Sequence, residues 1–154
     1  MAFDVTAIRK AIATQITNQL TAGGVKAAVY AHPVQTNMFP RVVIMPGTPY
    51  IEYKSSFGPG LSTINLIISV QCSAMEAESA QLSLARFLNA GTGQGGSIFD
   101  AVEKVTAPAL TADVAGAVQH VAVSDVSIDD GVLSSDNTFE YTATFNVAVY
   151  VTRS

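Results

Sequence analysis

Residues 139–151 constrain the fold of this chain more than any other stretch. Phe139, Tyr141, Ala143, Phe145, Val147, Val149 and Val151 alternate with Glu140, Thr142, Thr144, Asn146, Ala148, Tyr150 and Thr152. A strand turns successive side chains to opposite faces, so a period of two predicts a strand with one face on a core. At about 3.3 Å per residue it spans roughly 40 Å. Most strands hold only about 3–10 residues. A chain of 154 residues folds most simply as one domain, 1–154, with a radius of gyration of roughly 15 Å. A strand of this length is therefore expected to carry a bulge or to project beyond the core.

The same periodicity recurs upstream. Ile64, Leu66, Ile68, Val70 and Cys72 share one face of a strand, and Asn65, Ile67, Ser69 and Gln71 share the other. Shorter apolar runs predict strands at about 26–31, at Arg41–Met45 and at Tyr50–Tyr53, with Pro46-Gly47 as a turn between the last two. A further strand is expected from about Val118 to Ile128. Its apolar phase changes between Val121/Val123 and Val126/Ile128. One extra residue produces such a change, so a bulge is expected near Ser124–Asp125. Asp129-Asp130-Gly131 then reads as the start of a turn.

Three stretches carry helical spacing. Val5, Ile8, Ile12, Ile16 and Leu20 recur at steps of three and four, with Asp4 as a cap and Gly23-Gly24 as a stop. Ser73-Ala74-Met75-Glu76 has the form of a capping box opening a helix to about Asn89, with Ala77, Ala80, Leu84, Phe87 and Leu88 inward. Ser97 is placed to cap a short helix from Ile98 to about Lys104. The order α, β, β, β, β, α, α, β, β with short connections predicts an α+β fold. Its antiparallel or mixed β-sheet carries helices packed on one face.

Composition narrows the class. Only 13% of residues are charged and 49% are hydrophobic, against about 25% charge in an average domain. A disordered chain needs the opposite balance. No apolar run reaches about 18 residues, so no membrane span is expected. The opening Met1-Ala2-Phe3-Asp4 has neither a basic nor an apolar leader segment, and synthesis and folding in a cytoplasm is the expectation. The eight cations are scattered, which argues against tight phosphate-backbone binding.

No stretch carries a catalytic signature. Gly91, Gly93 and Gly96 match Gly-x-Gly-x-x-Gly. A dinucleotide site needs that string between a strand and a helix, with an acid about 20 residues on; here a helix precedes it and Gly116 occupies that position. Ser97 lacks the closing glycine of a nucleophile elbow. His32 and His120 stand far apart without paired cysteines or carboxylates, which makes no metal motif. His32 is expected at the surface and His120 at an exposed strand end. Cys72, the single cysteine, reads as a buried structural thiol. No enzyme activity, cofactor or metal is expected.

Two clusters invite a binding role. Asp125, Asp129, Asp130, Asp136 and Glu140 fall in one hairpin. They fit a solvated hairpin tip, or an anionic surface that repels DNA and keeps it sliding; calcium is a third reading, although the spacing does not fit an EF-hand loop. The segment Lys54 to Thr63 reads as a loop that sets Phe57 and Leu61 among glycines, with Pro59 between them. Exposed, they mark a contact with a partner; folded back, they join the core.

The element order resembles the tail terminator proteins of long-tailed, siphovirus-like bacteriophages. The likeness runs through the opening amphipathic helix, Phe39-Pro40-Arg41-Val42-Val43-Ile44, and the strand Ile64–Cys72 leading directly into Ser73–Asn89. It continues through the Gly-rich loop, Ser97-Ile98-Phe99-Asp100-Ala101, and the long closing hairpin. The resemblance implies a sheet flanked by helices, related to tail tube proteins. It implies a homohexameric ring at the head-proximal end of the tail tube in the virion. Such a ring stops tube polymerisation and joins the tail to the head–tail connector protein, and DNA passes through its lumen. On this resemblance the partners are further copies of the chain, the tail tube protein and the connector, with no membrane. Phe57, Pro59 and Leu61 would reach an adjacent ring or subunit, and the acidic hairpin would face DNA or the lumen. Another neck or tube protein, or a small ligand-binding domain, is the alternative. Protein interfaces deplete charge at their cores, so the low charge fraction reads as surface meant to be covered.

Overall fold

The structure is a computed structural model that describes residues 5–24, 27–33, 40–53, 61–74, 118–133 and 139–152. Between 74 and 118 it describes Leu82, Leu84, Ala85, Phe87, Leu88, Ile98 and Val102, all helical. The elements are α1 (Val5–Ala22), β1 (Ala28–Tyr30), β2 (Arg41–Tyr53), β3 (Leu61–Ala74), β4 (Val118–Leu133) and β5 (Phe139–Thr152). The five strands form one sheet in the order β1-β2-β3-β5-β4. β1 runs parallel to β2, and every other pair is antiparallel. This is the expected mixed sheet in an α+β fold.

The α1 stripe behaves as its spacing predicts. Ile8, Ile12, Ile16 and Leu20 are buried, each worth about 1.5–3 kcal/mol of burial. The helix stops at Gly23-Gly24. Gly24 takes a φ of 70°, the left-handed conformation that glycine adopts without steric cost. The amides of Gly23 and Gly24 donate to the carbonyls of Gln19 (3.1 Å) and Thr21 (3.0 Å). The Asp4 cap lies outside the described residues, as do Ser97 and the Gly91–Gly96 loop.

One core joins helices and sheet. It includes the α1 stripe, Leu84, Phe87, Ile98 and Val102, with Ile64, Leu66, Ile68, Val70 and Cys72 of β3 and alternate residues of β5 from Tyr141 to Val151. β3 and β5 pair without a break from Leu61↔Thr152 to Ala74↔Phe139. The core-facing residues of β5 from Tyr141 to Val151 are all buried. The long strand therefore does not project, and it carries no bulge against β3. The irregularities fall in β4, which gains one extra residue against β5 at three places. One lies between Val123 and Asp125, where Ser124 is the extra residue. This is the expected bulge, and it keeps Val121, Val123, Val126 and Ile128 on one face, opposite Val149, Val147, Phe145 and Ala143.

Several expectations are corrected. Pro46-Gly47 makes no turn; the two short strands merge into β2, so the described residues form five strands and not six. Between Pro46↔Leu66 and Ile51↔Ile64, the four residues Gly47 to Tyr50 stand where β3 has only Asn65. The detour is pressed against β3. A Cβ on Gly47 would sit 2.8 Å from the Asn65 carbonyl oxygen, and Asn65 Nδ2 donates to the Pro49 carbonyl at 2.9 Å. Tertiary contact thus overrides the local turn signal. Ser73 opens no helix: it pairs with Glu140 inside β3, which outlasts the alternating run because β5 is there to pair with it. Asp129-Asp130-Gly131 starts no turn either. β4 continues to Leu133 and absorbs the extra residue between Asp129 and Val132. The loop expected at Lys54–Thr63 ends sooner, since Leu61 already pairs with Thr152.

Candidate functional site

The sheet has two unlike faces. One is sealed by the helices. The other carries Arg41 and Met45 of β2, Asn65, Ile67 and Gln71 of β3, and Glu140, Thr142, Thr144, Asn146, Ala148 and Tyr150 of β5, all partly or largely exposed. Its polar side chains hold one another across the strands. Arg41 Nε donates to Gln71 Oε1, Asn65 Nδ2 also reaches Glu52 Oε2 at 3.2 Å, and Asn146 Nδ2 donates to Asp125 Oδ1. Ser124, the bulge residue, donates its hydroxyl to the Asn146 carbonyl at 3.0 Å. A shallow hollow of about 340 Å³ crosses this face, lined by Gly47, Thr48, Asn65, Ser124 and Asn146 with Leu66 and Val147. That lining holds amides, hydroxyls and apolar groups and no titratable side chain. It can accept hydrogen-bonding surface, but it supplies no acid, base or nucleophile.

The acidic residues are brought together only in part. Asp125 is exposed and bonded to Asn146, and Glu140 is half-buried. Asp129 stands opposite Thr142 in register, and Asp130 lies at the last irregularity of β4. Asp136 lies outside the described residues. Of the other cluster, Phe57 and Pro59 also lie outside them, and Leu61 is the first residue of β3. His32 is exposed as expected. Cys72 is buried and free, and burial pushes its thiol up to about 11, which keeps it protonated and unreactive at neutral pH. Among the described residues no group of three or more His, Cys, Asp or Glu side chains is placed to hold a metal ion. No described helix is long and apolar enough to cross a membrane.

Arg9, one of the eight scattered cations, is buried. Its Nε donates to the Ala31 carbonyl (2.9 Å), Nη1 to the Tyr50 hydroxyl (3.2 Å) and Nη2 to the Ile44 carbonyl (2.6 Å). β1 pairs with β2 only as far as Tyr30↔Val43. Arg9 therefore satisfies a carbonyl of β2 just beyond the point where β1 ends. Its five donors in a fixed fork suit that task. The signal was present in the sequence: position 9 follows Val5 by four and precedes Ile12 by three, inside the apolar stripe.

The sheet order also exposes a charge pattern hidden in the linear chain. Residues 5–51 hold Arg9, Lys10, Lys26 and Arg41 and no acid. Residues 105–152 hold Asp113, Asp125, Asp129, Asp130, Asp136 and Glu140 and no lysine or arginine. The first stretch supplies α1, β1 and nearly all of β2; the second supplies β4 and β5; β3 between them carries no charge. Within the sheet the charge is one-sided: β4 and β5 carry Asp125, Asp129, Asp130 and Glu140 and no lysine or arginine, whereas β2 sets Arg41 against Glu52 and β1 is uncharged.

No family model matches the sequence, and no curated protein does. Among solved structures, the chain is similar to one in the virion of a native gene transfer agent particle. The two share 15% identity with a TM-score of 0.50, over 90% of this chain and 95% of that one. At that identity the likeness is one of fold.

Proposed function

We propose that this chain is a structural protein of a phage-like virion, and within that class a tail terminator. Copies form a homohexameric ring at the head-proximal end of the tail tube, stop its polymerisation and present a surface to the head–tail connector. DNA crosses the lumen. The observation that carries the reading is the likeness of fold, over nearly the whole of both chains, to a chain of the gene transfer agent virion. In this reading the chain is a building block and not an enzyme, and it takes no cofactor.

The open sheet face suits a lumen. Thr142, Thr144 and Asn146 are uncharged, and Arg41, a cation on the same face, donates to Gln71. Asp125 and Glu140 add negative charge that repels the DNA backbone, and Asp129, Asp130 and Asp136 belong to the same hairpin. Phe57, Pro59 and Leu61 reach the adjacent ring or subunit.

The test is to mix the purified protein with growing tail tubes and image the product by negative stain. A terminator forms rings and caps one end of each tube at constant tube length. A chain that polymerises alone into long tubes is a tube subunit instead. A chain that stays monomeric and never joins a tube sinks the reading.

A further inference from the structure

Two irregular strands frame the hollow on the open face. On one side the β2 detour presses Gly47 and Pro49 against Asn65. On the other the bulge residue Ser124 bonds to Asn146. β3 and β5 pair Asn65 with Ala148 and Ile67 with Asn146. The two asparagines are therefore diagonal neighbours on one face, about 7 Å apart.

Their partners fix how each amide is turned. Asn65 Nδ2 donates toward β2, to the Pro49 carbonyl and the Glu52 carboxylate. Asn146 Nδ2 donates toward β4, to the Asp125 carboxylate. Carbonyls and carboxylates only accept, so the two nitrogens lie on those outer sides. In a planar amide the oxygen points away from the nitrogen, so both Oδ1 atoms turn inward, toward each other over the β3–β5 pair. Among the described residues neither accepts a hydrogen bond. Ser124 spends its one proton on the Asn146 carbonyl and has only lone pairs left to offer. The one lysine or arginine on this face among the described residues is Arg41, which donates to Gln71. It stands two rows beyond Asn146, about 13 Å along the strand, and salt screens charge over that distance.

Converging acceptors with carboxylates behind them and no donor between them suit a cation that carries N–H groups. We propose that the hollow binds a primary ammonium group of the kind that ends a polyamine. Its three N–H donors serve Asn65 Oδ1, Asn146 Oδ1 and the Ser124 hydroxyl, and the carboxylates of Glu52 and Asp125 balance its charge. The hollow is shallow, so the rest of the amine stays in solvent. The inference rests on the proposed function only for supply: DNA carries a condensed layer of counterions, which amines join, and a lumen draws that layer past the hollow.

The experiment titrates spermidine into the full chain and reads binding by isothermal titration calorimetry. Saturable binding is expected, and none from tetramethylammonium at matched ionic strength, a cation without N–H donors. Asn65→Ala and Asn146→Ala are each expected to weaken spermidine binding at least about tenfold, the size of one charge-assisted hydrogen bond. Asp129→Asn removes an acid of the same hairpin that stands opposite Thr142, two rows from Asn146, and is expected to leave the affinity within about twofold. Equal binding of the two cations overturns the proposal, because charge alone then suffices. So does a loss from Asp129→Asn as large as that from Asn146→Ala, or spermidine that does not bind. A chain that binds spermidine and never caps a tube overturns the terminator reading and leaves the site standing. A chain that caps tubes and does not bind spermidine does the reverse.

Discussion

β4 and β5 are partners in one hairpin, yet they obey different rules. β5 has a neighbour on each side. Its register against β3 is unbroken, and its core face is buried from Tyr141 to Val151. Among the described strands β4 has a neighbour on one side only; it carries three irregularities and leaves Val126 and Ile128 exposed. An interior strand is specified twice, once by each neighbour, and a slip of one residue turns its whole apolar set outward. An edge strand is specified once and can absorb an extra residue as a local kink. Irregular edges also discourage indiscriminate pairing, so the kinks in β4 leave it selective about what it meets.

Paired deletions give the sharpest attack on this contrast. Removing Thr144 shifts one part of β5 against both neighbours, and no cooperative unfolding transition is expected in a denaturant titration. Removing Ser124 takes out the extra residue and leaves Val123↔Val147 and Asp125↔Asn146 in place. That deletion is expected to cost less than about 1 kcal/mol and to raise light scattering, because the edge becomes more regular. Equal losses from the two deletions would break the comparison.

Smaller changes sharpen it. Phe145→Ala, in the middle of β5, is expected to cost about 3–5 kcal/mol by chemical denaturation. Arg9→Met leaves the Ile44 and Ala31 carbonyls without their donor and should cost about 2–3 kcal/mol. An undiminished midpoint would show that water serves those carbonyls as well. Burial raises the Cys72 thiol from 9.0 to about 11. The protonated thiol is favoured by the fold, so its contribution is whole below pH 9 and is lost as pH rises toward 11. Maleimide labelling of Cys72 at pH 8 should therefore follow global unfolding and not precede it. Ile128→Ser changes monomer stability by less than about 0.5 kcal/mol in the same titration, because that β4 side chain is already exposed.

What could be read from the chain beforehand follows the same divide. The α1 stripe, the β3 and β5 alternations and the bulge at Ser124 were legible because each is a local pattern imposed by one face of a core. The passage of β2 through Pro46-Gly47-Thr48-Pro49 was not. Those residues signal a turn, and only Asn65 on another strand holds them in the sheet. The local pattern ends this strand at Cys72 and opens a helix at Ser73 for a similar reason: the capping pattern is local, and the pairing with Glu140 is distant. The acids of the candidate site were visible as a cluster. That they gather on the two strands at one side of the sheet emerges only with the sheet order.

The order β1-β2-β3-β5-β4 sets a schedule for folding. The strand in contact with both β3 and β4 is the last of the five in chain order, and Ala74 must find Phe139, and Leu61 must find Thr152, across the whole stretch between. Such distant pairings are slow to form. Until β5 emerges, the β2–β3 hairpin offers one complete, unclaimed margin to whatever strand is nearby. A host that makes this chain in quantity therefore faces a race between the nascent protein's own final strand and the hairpins of its sisters.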